Sequence, residues 1–177
     1  MKILMPFANG FEEIEALAVV DLLRRAEIEV DMVGVVGTMM TGAHDIKVMM
    51  DKRLNEVKTK DYDGIILPGG SPGYKNLGKS KAIMDMLKEF NEHGKLVAAI
   101  CASPMLLADA GILHNRKATV YPGLESKIPY PRADKVVVDE NIITSQGPGT
   151  AIDFALAIIR YLMGREKANK VKEAVLA

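Results

Sequence analysis

The sequence predicts an α/β fold built on a mostly parallel sheet, and two observations carry this prediction. Helical and extended patterns alternate from one end of the chain to the other, as they do when helices cross between parallel strands. The short run Gly64–Leu67 is apolar without interruption, which is typical of a parallel strand buried on both faces. With 177 residues and no repeat, linker or low-complexity segment, the chain is expected to form one domain over residues 1–177.

The first half of the chain alternates between strand and helix patterns. Residues 2–5 predict the first strand, which Pro6 and Gly10 end. Residues 12–26 predict a helix, because apolar residues recur at helical spacing and acidic residues fill the first turn, where the helix dipole favours them. The further elements predicted here are a strand over residues 29–36, a hairpin or strand pair over 39–50, and the strand Gly64–Leu67, which ends at Pro68-Gly69-Gly70.

The second half continues the alternation with shorter elements. Ser80 is the predicted N-cap of a helix that runs to about Glu92 and ends at His93-Gly94. The strand Leu96–Ile100 follows, and a helix pattern begins directly after Cys101. The remaining predicted elements are strands over residues 118–121, 136–138 and 142–144, a helical turn near Leu124, and a long helix over 149–163 with a charged amphipathic tail.

Composition excludes several classes of function. Lysine and arginine total 23 and aspartate and glutamate total 23, so no net positive field would attract nucleic acid. No run approaches 18 apolar residues, so no membrane partner is expected. A single cysteine rules out an internal disulfide, and Met1 and Lys2 do not begin a secretory leader; the expected location is therefore the cytoplasm.

Cys101, the only cysteine, lies at a predicted corner between a strand and a helix. Ala99 and Ser103, two residues to either side, are small. A sharp turn that exposes a nucleophile above a sheet requires small residues at these two positions, as in the G-x-S-x-G turn of hydrolases. A lone cysteine after an apolar strand is more often inert core, but the small flanking residues favour a reactive thiol.

Three loops are expected to meet at the carboxyl ends of the strands, where ligands bind in open parallel sheets. They are residues 6–10, residues 68–73 and the Cys101 turn. This convergence brings the backbone amides of Gly69 and Gly70 close to the thiol. We expect amides at the helix start to lower the pKa of the thiol, and the N–H groups of Gly70 and Ala102 to form an oxyanion hole.

Glu15 is the predicted carboxyl partner of Cys101. It shares a helix stripe with apolar residues, whereas Glu13 aligns with Asp21 and Arg24 and is expected to face outward. Burial would raise the pKa of Glu15, so that the neutral acid could donate a hydrogen bond to a thiolate or a sulfinate.

At these residues the sequence resembles the ThiJ/PfpI superfamily, and specifically the branch that contains the Parkinson-disease-associated deglycase and its bacterial relatives. Four motifs in the same order carry the resemblance: GFEEIE at residues 10–15, LPGG at 67–70, AAICASP at 98–104 and TSQGPGT at 144–150. The resemblance covers essentially the whole chain.

The resemblance implies a flavodoxin-like three-layer sandwich with helices on both faces of the sheet, usually as a homodimer. It implies a cysteine held at a strained turn, a hydrogen bond between Glu15 and Cys101, and easy oxidation of Cys101 to a sulfinate. The activities described in the family are glyoxalase, deglycase, chaperone and oxidative-stress sensor. No cofactor and no metal site are expected.

Two departures separate the chain from parts of this family. The human-type branch has a histidine in a Thr-Thr-His-Pro segment, and the matching position here is Tyr121, which cannot act as a base at neutral pH. Tyr121 is expected either to pack or to donate a hydrogen bond in the pocket. The peptidase-like branch has a histidine directly after the cysteine, where this chain has Ala102. His44 matches the region that holds an arginine near the pocket in the human-type branch.

These observations favour a cysteine-dependent enzyme for small reactive carbonyls. Cys101 would attack the aldehyde of a dicarbonyl such as methylglyoxal, or of its adduct with protein, and Glu15 would shuttle protons until water releases a hydroxy acid. The alternative is a sensor or chaperone in which Cys101 is oxidised to a sulfinate. A peptidase is disfavoured by Ala102, and the His-x-Glu pair of glutamine amidotransferases is absent.

Overall fold

The structure is a computed structural model that describes residues 1–177. The strands, in chain order, are β1 (Lys2–Phe7), β2 (Glu29–Gly34), β3 (Met39–Thr41), β4 (Lys47–Met49), β5 (Lys52–Arg53), β6 (Gly64–Leu67), β7 (Leu96–Ile100), β8 (Lys117–Ala118), β9 (Tyr130–Pro131), β10 (Val136–Asp139) and β11 (Ile142–Ser145). The α-helices are α1 (Glu13–Arg25), α2 (Gly73–Gly78), α3 (Lys81–Glu92), α4 (Pro104–Asp109), α5 (Ala151–Met163) and α6 (Arg165–Ala174).

Seven strands form the central sheet in the order β10-β11-β7-β6-β1-β2-β5. All neighbouring pairs are parallel except β10 with β11, which are antiparallel. The chain leaves β1 toward β2 on one side and returns to β6 on the other side of β1. The sheet therefore reverses its winding direction between β1 and β6, which is where open parallel sheets bind ligands.

Helices cover both faces of the sheet. One buried cluster joins α1, α5 and α6 to side chains of β1 and β7, with Phe7, Phe11 and Phe154 fully buried. The other cluster packs α3 and α4 against the opposite face of the same strands, with Phe90 fully buried. Because β6 and β7 are covered on both sides, every one of their residues is buried. None of the helices combines the length and apolar character needed to cross a membrane.

Most predicted elements are confirmed with shifted ends. Ser80 caps α3 as predicted, since its Oγ accepts a hydrogen bond from the backbone N–H of Ile83 at 3.4 Å. The first strand, however, continues through Pro6 to Phe7 instead of ending before the proline. Pro6 lies beyond the residues of β1 that pair with β6, so its missing N–H is tolerated there.

The short elements β5, α2 and β9 were not predicted, and the predicted strand over residues 118–121 shrinks to β8. Each is only two to six residues long. Strands and helices this short are stabilised by contacts with distant residues rather than by a local sequence pattern.

Candidate active site

Cys101 lies at the sharp corner between β7 and α4, in a left-handed backbone conformation with φ of +65°. Two backbone hydrogen bonds fix this corner: its N–H donates to the carbonyl of Ser145 at 2.9 Å, and its carbonyl accepts from the N–H of Tyr121 at 2.8 Å. A residue other than glycine at such a φ stores about 1–3 kcal/mol of strain, which clusters at functional sites. The fold therefore holds the thiol in a conformation that the cysteine itself does not favour.

The loop after β6 is locked against this corner by Ser103. Its fully buried hydroxyl donates a hydrogen bond to the carbonyl of Pro68 at 2.6 Å. Gly70, two residues further along, has φ of +93°, and a Cβ there would lie 2.5 Å from the carbonyl oxygen of Gly10. Only glycine fits this close approach of two backbones.

The backbone amides of Gly70, from the loop after β6, and of Ala102, at the corner itself, lower the pKa of the Cys101 thiol. The sequence predicts the same two amides as an oxyanion hole. Amides in this position favour negative charge on the thiol or on a carbonyl oxygen attached to it.

Glu15 points from the first turn of α1 to the same place, and its side chain has no contact with solvent. Its Oε2 accepts a hydrogen bond from the N–H of Gly69 at 2.9 Å, and its carboxyl also interacts with the Cys101 side chain. Its other oxygen, Oε1, is buried without a hydrogen-bond partner. Burial raises the pKa of Glu15 to about 7, although the hydrogen bonds with Cys101 and Gly69 oppose the rise.

The pKa of Cys101 moves in the opposite direction from the one that the corner position predicts. Burial of the thiol and the nearby charge of Glu15 raise it to about 12, and the amides of Gly70 and Ala102 only partly offset these two causes. The helix α4 has six residues and adds little dipole. The charge of Glu15 raises the pKa of the thiol only while that carboxyl is ionised. The thiolate is therefore more favourable when Glu15 holds the proton.

Gly69 sets the spacing between these two groups. A Cβ on Gly69 would lie 2.5 Å from the Cβ of Cys101, well inside van der Waals contact. The N–H of Gly69 is directed at the carboxyl of Glu15.

Tyr121 lies at the edge of the site. Its ring approaches Gly147, where a Cβ would be 3.3 Å from the ring and 3.9 Å from Oε1 of Glu15. The residue is 48% exposed, and the hydroxyl forms no hydrogen bond within the chain. The ring of Tyr121 therefore lies at the edge of the site, while its backbone supports the Cys101 corner.

No histidine hydrogen-bonds with Cys101 or Glu15. His44 lies between β3 and β4, where its Nδ1 is 2.9 Å from Oε2 of Glu13. His93 bonds the carbonyl of Glu89 at the end of α3. Within this chain, no imidazole is therefore hydrogen-bonded to the acid–thiol pair.

The structure corrects the expectation that Glu13 faces outward. Only 5% of Glu13 is exposed, because the β3–β4 hairpin folds over it and the N–H groups of His44 and Ile46 donate to its Oε1 at 2.8 and 3.4 Å. Helix periodicity cannot reveal this burial, since the hairpin comes from residues about 30 positions away. The glycine in the hairpin, Gly42, is the one local signal: a Cβ there would lie 2.8 Å from Cγ of Glu13.

Four surface cavities, of about 250 to 650 Å³, are not lined by Cys101 or Glu15. The largest of these four lies between β10, α5 and α6 and contains none of the side chains described above.

This arrangement supports nucleophilic chemistry on a carbonyl or oxidation of the sulfur. In such chemistry the sulfur would provide the nucleophile, the two amides would stabilise an adjacent oxygen anion, and the carboxyl with a raised pKa would exchange a proton beside them.

Known proteins are similar in sequence over nearly the whole chain. Protein DJ-1 homolog B of Arabidopsis thaliana is 40% identical over 180 residues, which cover 99% of this chain and 41% of that protein; the chain thus spans less than half the length of this relative. A Caenorhabditis elegans protein named glutathione-independent glyoxalase DJR-1.2 is 37% identical over 173 residues, covering 96% of this chain and 91% of that protein.

The structure of oxidized DJ-1 from Toxoplasma gondii matches with a TM-score of 0.96 and 39% identity, over 99% of this chain and 97% of that one. This match confirms the predicted flavodoxin-like architecture. The sequence pattern of the DJ-1/PfpI family matches residues 1–161. The chain therefore belongs to the DJ-1/PfpI family.

Proposed function

We propose that the chain is a cysteine-dependent enzyme of the glyoxalase or deglycase type, which converts methylglyoxal or its adducts to a hydroxy acid. The observation that carries this proposal is the position of the Cys101 sulfur between the amides of Gly70 and Ala102 and the buried carboxyl of Glu15. The name of the C. elegans relative, a glyoxalase, supports the same reaction class.

The proposed reaction begins when the Glu15 carboxylate takes the proton of the Cys101 thiol, and the resulting thiolate attacks the aldehyde carbon of methylglyoxal. A carbon–sulfur bond forms, and the aldehyde oxygen becomes an alkoxide that the amides of Gly70 and Ala102 stabilise. Protonated Glu15 then gives its proton to this oxygen, which completes a hemithioacetal and leaves Glu15 as the carboxylate.

The second half of the reaction moves a proton between neighbouring carbons. The Glu15 carboxylate removes the proton from the former aldehyde carbon and returns it to the former ketone carbon. The hydroxyl proton on the first carbon passes to the oxygen of the second carbon, so that the first carbon is oxidised to a thioester and the second is reduced to an alcohol. Water then attacks the thioester and releases lactic acid and the Cys101 thiol, so that methylglyoxal and one water yield one lactic acid.

The test is lactate formation from methylglyoxal in a buffer without amines or thiols. The unmodified chain is compared with Cys101→Ser and with Asp85→Asn, a surface control on α3. We expect slow lactate formation that Cys101→Ser abolishes and Asp85→Asn preserves. Equal lactate formation by Cys101→Ser would refute the proposal.

A second candidate function is a peroxide sensor, or a chaperone controlled by oxidation. It is favoured by Oε1 of Glu15, a buried oxygen without a partner beside the thiol, which in the protonated acid would donate a hydrogen bond to an oxidised sulfur. Two peroxide molecules would convert the thiolate to a sulfinate, and each would be reduced to water.

Mass spectrometry after treatment with a small excess of peroxide tests this candidate. We expect a stable gain of two oxygens at Cys101, and its loss or further oxidation in Glu15→Ala. Absence of selective oxidation at Cys101 eliminates the sensor, whereas lactate formation decides the enzyme independently.

We also propose a homodimer located in the cytoplasm. Apolar side chains are exposed on two adjoining elements, the start of α1 and the β3–β4 hairpin, where Ile14, Met39, Ile46 and Met49 are each about half exposed or more. Such a surface is typical of an interface, and light scattering would measure the dimer. A free reactive thiol suits the reducing cytoplasm.

A further inference from the structure

A group of side chains with metal-ligand chemistry lies where the β3–β4 hairpin meets the start of α1. It consists of Glu12, Glu13 and His44, whose potential ligand atoms all lie within 4.8 Å of one another. None of the three was assigned a role in the proposed reaction. We propose that these residues bind a divalent transition-metal ion of the Zn²⁺ class.

The distances match a metal site. Nδ1 of His44 is 2.9 Å from Oε2 of Glu13 and 3.6 Å from Oε2 of Glu12. Nitrogen and oxygen ligands lie about 2.1 Å from Zn²⁺, so pairs of ligands in a tetrahedral site are about 3.4 Å apart. The ion would therefore fit between the three atoms after shifts smaller than the length of one bond.

The second observation is how Glu13 is held. Its Oε1 accepts two backbone hydrogen bonds from the hairpin, which leaves Oε2 directed at His44. Support of this kind orients ligands in known metal sites. The glycine at position 42 leaves the space that this carboxylate occupies, so the hairpin accommodates Glu13 closely.

The third observation concerns Glu12. Its side chain is only 12% exposed, yet its carboxylate accepts no hydrogen bond within the chain. Two largely buried carboxylates thus face one imidazole, and a dication would neutralise them both. In the single chain His44 is 69% exposed, which leaves the fourth coordination position of the ion open.

A simple ion pair between His44 and the glutamates is the competing interpretation. With an imidazole this exposed, such a pair contributes little stability. The two interpretations differ in a measurable way, because a metal requires neutral imidazole and displaces its proton, whereas an ion pair requires the protonated ring.

The test uses full-length protein carrying Cys101→Ser, so that the thiol cannot bind metal. Zn²⁺ affinity is measured by competition with a chromophoric chelator, and the ligand set is read from the visible absorption of bound Co²⁺. We expect one ion per chain. His44→Ala should weaken binding about tenfold or more, as should Glu12→Gln, whereas His93→Ala should leave it unchanged.

Circular dichroism of each variant checks that the chain remains folded; Glu12→Gln keeps the shape of the side chain and serves if His44→Ala does not fold. Absence of Zn²⁺ binding in the Cys101→Ser protein would overturn the proposal. Binding that persists in both His44→Ala and Glu12→Gln, or that falls equally in His93→Ala, would overturn it as well.

Discussion

Replacing Gly69 with alanine would place a methyl group between Cys101 and Glu15, the two groups on which the proposed chemistry depends. The new Cβ would lie 2.5 Å from the Cβ of Cys101, whereas carbon atoms in contact prefer about 3.5–4.0 Å. The new methyl group and the Cys101 side chain must therefore move apart by about 1 Å or more. The backbone around Cys101 cannot easily yield, because hydrogen bonds fix it on both sides.

The size of the effect follows from this displacement. A misplacement of about 1 Å at reacting groups reduces the rate about 100-fold, and overpacking of a buried site costs about 1–3 kcal/mol. We expect Gly69→Ala to lose lactate formation and selective peroxide oxidation of Cys101 by about this factor, with a moderate fall in the free energy of unfolding.

Gly149→Ala is the matched control, since a Cβ at Gly149 meets no atom within 4 Å. Lactate assays, mass spectrometry after peroxide and urea denaturation are applied to both variants. Unchanged oxidation and unchanged stability in Gly69→Ala would show that the close contact does not exist and would refute the reasoning.

Three further predictions concern the supports of the site and of the core. Ser103→Ala leaves the buried carbonyl of Pro68 without its donor, so we expect urea denaturation to show a loss of about 1–3 kcal/mol, together with slower Cys101 chemistry; unchanged stability would contradict this role. Phe154→Ala empties a fully buried position in α5 and should cost about 3–5 kcal/mol by the same measurement, and a loss below about 1 kcal/mol would show a loosely packed face. Burial raises the pKa of Asp31, but hydrogen bonds with Lys52, Tyr62 and Lys2 outweigh it and hold that pKa below its ordinary value of 3.8. The Asp31 carboxylate therefore contributes its full stabilisation above pH 3.8 and loses it as the pH falls through the folded-state pKa. The loss of stability caused by Asp31→Asn, measured by urea denaturation, should consequently shrink in acid. An equal loss at neutral and acid pH would contradict this origin.

The central sheet was predictable because its strands carry their own signal. Helices cover both faces of Gly64–Leu67, so all four of its residues must be apolar. Four consecutive apolar residues are visible in the sequence. The Cys101 corner was predictable for a similar reason, because small residues on either side of a sharp turn are a local steric necessity.

The environment of the acids was less predictable. Glu13 is buried by a hairpin that is distant in sequence, so α1 alone suggested an exposed side chain. The pKa of Cys101 depends on burial and on the charge of Glu15, and both arise only after three separate loops meet. Properties that arise from the convergence of distant loops exceed what a local pattern can specify.

The left-handed conformation of Cys101 affects which residue directed evolution would select at this position. Glycine would adopt φ of +65° without strain, so Cys101→Gly removes a local conformational cost and the nucleophile in the same step. Libraries screened for heat resistance alone should therefore enrich glycine at position 101, whereas libraries screened for peroxide or aldehyde chemistry should reject it. Relief of backbone strain and thiol chemistry thus favour different residues at this position.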